Sequence, residues 1–171
     1  MSEADAASGK SGGTPVLDER RTFLVIVDDT DEMQAALRFA CRRAQRTGGR
    51  VALLYIVAPL ESEPWLGVGR KMAEERRQEA EQVLQRLAAD VVALSGSMPA
   101  LFVRDGRARD VVLKLLDEEP SISVLVLGTA RGSTDPGPLV SRLLGTLGND
   151  LRVPVTLVPG HLEAAAIDAL T

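Results

Sequence analysis

Between residues 22 and 158 the chain alternates short, almost wholly apolar runs with longer stretches in which apolar residues recur every three or four positions. The runs at 22–27, 50–57, 99–104, 122–127 and 153–158 predict five strands. A run without polar interruption belongs to a strand covered on both faces, so the expected sheet is parallel with helices on each side. The stretches between the runs carry the helices. In the first, Met33, Leu37, Ala40 and Ala44 fall on one helical face, Gly48-Gly49 supplies the stop, and Thr30-Asp31 with Gln34 has the pattern of a capping box. The second, 68–94, has Ala80, Leu84, Leu87 and Val91 as its stripe, and its Glu74–Glu79 segment reads as a solvated face with i,i+4 ion pairs. In the third, Val111, Val112, Leu115 and Leu116 face inward, and Glu118-Glu119-Pro120 ends it. The fourth is expected to open with Gly137 as N-cap and Pro138 at the first helical position, where a missing N–H costs nothing. Strict alternation of strand and helix predicts an α/β fold, a five-stranded parallel doubly wound sheet in a three-layer sandwich.

The ends of the chain lack this pattern. Residues 1–20, rich in Ser, Gly, Ala and charge, are expected to form a flexible tail; 21–159 form the domain, and 160–171 a C-terminal tail with a short Ala-rich helix. A loop at 58–67 contains Trp65, expected to fold over the edge of the core. Aromatic residues make up only 3% of the chain against 45% hydrophobic, so the core must be aliphatic. A net charge of -4 argues against nucleic acid as a general partner. The sequence shows no signal peptide and no apolar run long enough to span a membrane, and its single cysteine, Cys41, forms no internal disulfide. A cytoplasmic location is the simplest expectation.

Ligands of a parallel α/β sheet bind beyond the carboxyl ends of its strands. Asp28 and Asp29 stand there after the first strand, Asp105 after the third, and Gly128, Thr129 and Gly132 in the segment after the fourth. One reading is an adenine-nucleotide site, in which glycine-bearing backbone and a following helix offer N–H groups to phosphates while Asp28 meets a ribose or a metal. A phospho-receiver is a second reading, but Asp28 and Asp105 are 77 positions apart and Pro159-Gly160 stands where a receiver has its lysine. Classical hydrolytic machinery has little to work with. His161 is the only histidine and is expected in the exposed tail, and Cys41 in the first helix is expected to be a buried, inert thiol.

Residues 22–158 resemble the universal stress protein family. The resemblance rests on Leu24-Val-Ile-Val-Asp28-Asp-Thr30, on Val51–Val57, and on Leu125-Val-Leu-Gly128-Thr-Ala-Arg-Gly132 followed by Val153-Pro-Val-Thr-Leu-Val158. It implies an adenine nucleotide alpha hydrolase-like, Rossmann-like fold and a homodimer formed through strand five. It also implies a regulatory protein made for binding, with at most slow ATP hydrolysis. For ATP with magnesium, the implied contacts are Asp28 and Ile56 at the ribose and adenine end and Gly128, Thr129, Gly132 and Ser141 at the phosphates. Nucleotide-binding members resemble a Gly, two residues, Gly, nine residues, then Gly and Ser or Thr pattern. Here Gly128 and Gly132 have three residues between them, and Ser141-Arg142 stands where the last pair is expected. The alternative is a nucleotide-free dimeric interaction module of the same fold.

Overall fold

The computed structural model describes residues 20–59, 68–130, 140, 141, 143, 145 and 150–171. The strands are β1 (Thr22–Val27), β2 (Arg50–Val57), β3 (Ala100–Asp105), β4 (Ile122–Thr129) and β5 (Val155–Pro159), and the helices α1 (Asp31–Thr47), α2 (Val68–Ser95), α3 (Ala108–Glu118) and α4 (Ala164–Leu170). Val140, Ser141, Leu143 and Gly145 are also helical. All strand pairs are parallel, in the order β3-β2-β1-β4-β5. The five-stranded parallel α/β sheet expected from the apolar runs is therefore the one observed. The expected N-terminal tail, Trp65, Gly132, and Gly137 with Pro138 lie outside the described residues, except that the tail's last residue, Arg20, is described and exposed.

Strand alternation sorts the core into two layers. Phe23, Val25 and Val27 of β1 join Leu53 and Val126 against α1 and α2, where Met33, Leu37, Ala40, Ala44, Ala80, Leu84, Leu87 and Val91 are all buried. On the other face, Leu24 and Ile26 join Ala52, Leu54, Leu125 and Leu127 against α3 and the buried Val140 and Leu143. Every residue of the two stripes expected in α1 and α2 is thus in the core. The N-terminal half of α2 is exposed nearly all round until Ala80, and the pairs Lys71–Glu75 (3.9 Å) and Arg77–Glu81 (3.6 Å) run along it. Arg77 also reaches Asp105 at 2.8 Å, which ties this projecting stretch to the end of β3.

A bulge decides which face β4 presents. Thr22 pairs with Ile122 but Phe23 pairs with Val124, so Ser123 is an extra residue and the alternation shifts by one beyond it. Ile122 accordingly packs in the α3 layer while Val124 and Val126 pack in the α1 layer. Gly128 follows them onto the α1 face, and Thr129 follows Leu127 onto the other. The apolar run suggests an end to this strand at Leu127. It continues to Thr129 because β5 keeps pairing with it, Gly128 with Val158 and Thr129 with Pro159.

Two further differences have local causes. Thr30 is the N-cap of α1, but no side chain caps the helix. Its hydroxyl and N–H both donate instead to Oδ1 of Asp28, at 2.5 and 3.1 Å, because a carboxylate two residues away is a stronger acceptor for both. At the opposite end of the sheet Arg152 ties the end of α3 to the start of β4, and fills the carbonyl of Leu116, whose helical donor is lost to Pro120. Its guanidinium donates to the carbonyls of Leu116, Ile122 (3.1 Å) and Glu119 (3.0 Å), and so supplies a positive charge at a helix C-terminus that has no basic residue of its own. Cys41 is wholly buried, and burial pushes its thiol up to about 12.

Replacing Arg152 by Ala removes these charge-assisted bonds and leaves the Leu116 carbonyl without its guanidinium, and we expect a loss of about 1–3 kcal/mol in stability, read as a lower urea midpoint at unchanged slope. Cys41, neutral at pH 8, should resist a thiol-specific disulfide reagent in the native protein and react fully only in denaturant; rapid labelling of the native chain would contradict its placement.

Candidate functional site

The centre of the sheet is where the connections part. The chain leaves β1 through α1 on one face of the sheet, while the helical residues after β4, Val140 and Leu143, pack on the other. β1 and β4 are neighbours, so their carboxyl ends border a crevice between two diverging connections, the usual ligand position in an open α/β sheet.

Asp28 leaves β1 half-buried, and its carboxylate holds the turn into α1 through the two Thr30 bonds. Asp29 beside it is exposed. Ile56, the penultimate residue of β2, is half-buried and packs with the α3-side layer. Thr129 ends β4 on that same face, and its carbonyl accepts the N–H of Gly160 at 2.9 Å. Asp28, Ile56 and Thr129 are therefore brought to one edge of the sheet. Ser141 is exposed on the helical stretch whose neighbours Val140 and Leu143 are buried.

Gly128, on the α1 face of β4, has no room for a side chain. A side chain there would meet the carbonyl oxygen of Glu32 at 2.1 Å, in the first turn of α1. Gly160 after β5 meets the same turn, with Glu32 Cβ 2.5 Å from where its own Cβ would be. The first turn of α1 thus rests on two glycines at the tips of adjacent strands. The sequence pattern gave neither Glu32 nor Gly160 a role at this edge; the available signal was a glycine at the end of each of two neighbouring apolar strands, Gly128 and Gly160. Asp105, also at the carboxyl edge, is separated from β4 by two strands and is paired with Arg77.

Electrostatics separate the two sides of the edge. A hollow of about 320 Å³ between α1 and α2 is lined by Asp28, Asp29, Asp31, Thr30 and Arg86 together with Met33, Val83 and Leu87. Three carboxylates against one guanidinium make it a poor place for an anion. Tyr55, on the α1 face of β2, has its phenol pushed up by burial and further by the charges of Asp29 and Glu79, so it stays a neutral hydroxyl. His161 is exposed beyond β5. Among the described residues no group of three or more His, Cys, Asp or Glu is arranged to hold a metal ion, and no helix is long and apolar enough to cross a membrane.

Comparison with known proteins bears on this arrangement. Residues 19–159 match the model of the universal stress protein family. A universal stress protein of Mycolicibacterium smegmatis is 30% identical over 152 residues, covering 84% of this chain and 49% of its own length, so the chain spans about half of that relative. Among solved structures, the universal stress protein UspA from Lactobacillus plantarum superposes with a TM-score of 0.66 at 22% identity, over 81% of this chain and 97% of that one. A universal stress protein family protein from Arabidopsis thaliana, solved with AMP bound, superposes with a TM-score of 0.55 at 14% identity, over 81% of this chain and 91% of that one. The structural matches share the fold at low identity, and the family model spans the whole sheet from β1 to the end of β5. The chain belongs to the universal stress protein family.

Proposed function

We propose that this chain is a cytoplasmic regulatory protein that binds an adenine nucleotide, ATP with its magnesium, at the crevice between the carboxyl ends of β1 and β4. The observation that carries the reading is the convergence of an acceptor, an apolar surface and a hydroxyl on that edge: Asp28, Ile56 and Thr129. A carboxylate accepts the hydroxyls of a ribose, a half-buried Ile offers a flat apolar contact to a purine, and a Thr hydroxyl donates to a phosphate oxygen. Gly132 and Ser141 would complete the phosphate end. That a family protein of the same fold was solved with AMP supports the choice of an adenosine nucleotide. Gly128 enters this reading indirectly, by seating the turn that bears Asp28 and Thr30.

The proposed assembly is a homodimer through β5. The two edges of the sheet differ: β3 ends in Arg104 and Asp105, with Arg104 over the Phe102 ring and 3.5 Å from Glu118, whereas β5 presents Leu157 at 44% exposure. Charges guard an edge against pairing, and an exposed leucine invites cover. The competing reading, a dimeric interaction module without nucleotide, draws on the engagement of the Asp28 carboxylate by Thr30.

Titration calorimetry with MgATP decides between the two. We expect micromolar affinity, lost at least tenfold in Thr129→Glu, whose carboxylate repels the phosphates; silence up to millimolar ATP with the protein folded would leave the interaction module. Gly128→Ala should lower stability by about 1–3 kcal/mol through overpacking against Glu32, so a weakened response in that variant alone would not report on the crevice. Light scattering behind size exclusion should give a dimer for the natural chain and a monomer for Leu157→Lys; a dimer in both would rule out β5 as the contact.

A further inference from the structure

We propose that α4 is a releasable strap covering a four-arginine face of α1. The helix lies beyond the matched family region, which ends at residue 159, and packs on α1 of its own chain. Seven residues are too few for a helix to persist alone in water, so its seat must hold it. The apolar part of that seat is small. Ile167 is the one buried residue of α4, Leu162 ahead of it is only partly buried, Leu170 is 64% exposed, and the buried residue that follows the helix, Thr171, is polar.

The rest of the fastening is charge, and it converges on Asp168. Arg38, Arg42 and Arg46 recur every four residues along α1 and so share a face. Arg38 forks onto both carboxylate oxygens of Asp168, Nε to Oδ1 at 2.8 Å and Nη2 to Oδ2 at 2.6 Å, and Arg42 Nε reaches Oδ1 at 3.1 Å. Arg46 donates to the Asp168 carbonyl at 2.9 Å, and Arg43 to the Thr171 carbonyl at 3.3 Å. Guanidiniums at four-residue spacing repel one another, so a single carboxylate does double work: it pins α4 and relieves α1. The side chains of Arg38, Arg42 and Asp168 remain 26–32% exposed, where salt screens their attraction. By contrast α1 has seven buried residues and two strand tips beneath it, and has no comparable freedom. A short helix with one apolar anchor and one screenable charged pin is built to open as a unit while the sheet stays closed.

Hydrogen exchange followed by mass spectrometry on the full chain tests this. In the natural protein, peptides covering 160–171 should exchange at least about tenfold faster than those of β1 and β4, and faster still when sodium chloride is raised from about 0.05 to 0.5 M. Asp168→Asn should speed exchange in α4 about tenfold more, leave β1 and β4 unchanged, and abolish the salt effect. Arg42→Gln should shift it in the same direction by less. Exchange of α4 at the rate of the core, an absent salt effect in the natural chain, or an Asp168→Asn profile identical to it would each overturn the proposal.

Discussion

The first turn of α1 can lie on the sheet only because the tips of β4 and β5 have no side chains there. Glu32 sits over Gly128 and Gly160, and at either position a Cβ would come within 2.5 Å or less of it. This contact sets where α1 begins, and hence how the chain must turn after Val27. Asp28 and Thr30 then close that turn with two hydrogen bonds. The carboxyl edge is therefore shaped from the α1 side by backbone approach, while Ile56 and Thr129 border it from the α3 side. A glycine at 128 serves the crevice by what it lets the neighbouring helix do.

Much of this was legible in the sequence, and the reasons it was not all legible are physical. Apolar runs and helical stripes are local signals, so the strands, α1, α2 and α3 fall close to where the pattern put them. The parity of β4 is not a local signal. Ser123 looks like any polar residue in a strand, and only its pairing with β1 makes it the extra residue that turns Gly128 toward α1. The end of β4 is hidden for a similar reason: Gly is a weak strand former, and the ladder to Val158 and Pro159 overrides its preference. The candidate crevice residues Asp28 and Thr129 were readable because they stand at the ends of apolar runs, and Ile56 through the family resemblance alone, whereas Glu32 and Gly160 act through contacts that no spacing announces.

Arginine does the long-range joining in this chain. The core is aliphatic, and Leu, Val and Ala layers pack well without demanding one register of helix against sheet. Directional contacts supply that. Arg152 joins the end of α3 to the start of β4, Arg77 joins α2 to the end of β3, and Arg38 with Arg42 joins α4 to α1. In each case a planar fork meets carbonyls or a carboxylate from an element far away in sequence. The four-residue recurrence of Arg38, Arg42 and Arg46 was visible along α1, but its meaning required Asp168, which is 122 to 130 positions further on.

These joints are not equivalent, and the burial of the elements they hold, not of the arginines themselves, ranks them. Arg152, itself exposed, holds the carbonyl of Leu116 at the end of a helix with four buried side chains, so its loss is felt by the core behind that helix. The Arg38–Asp168 fork is one-third exposed and holds an element that contributes a single buried residue, so its loss stays local. The same chemistry thus yields a permanent staple at one end of the sheet and a detachable one on α1. The difference lies in how much apolar surface each joint has behind it: α3 buries four side chains, α4 only Ile167. A charged contact backed by a layer of leucines opens only when the layer does, and one backed by a lone isoleucine opens first.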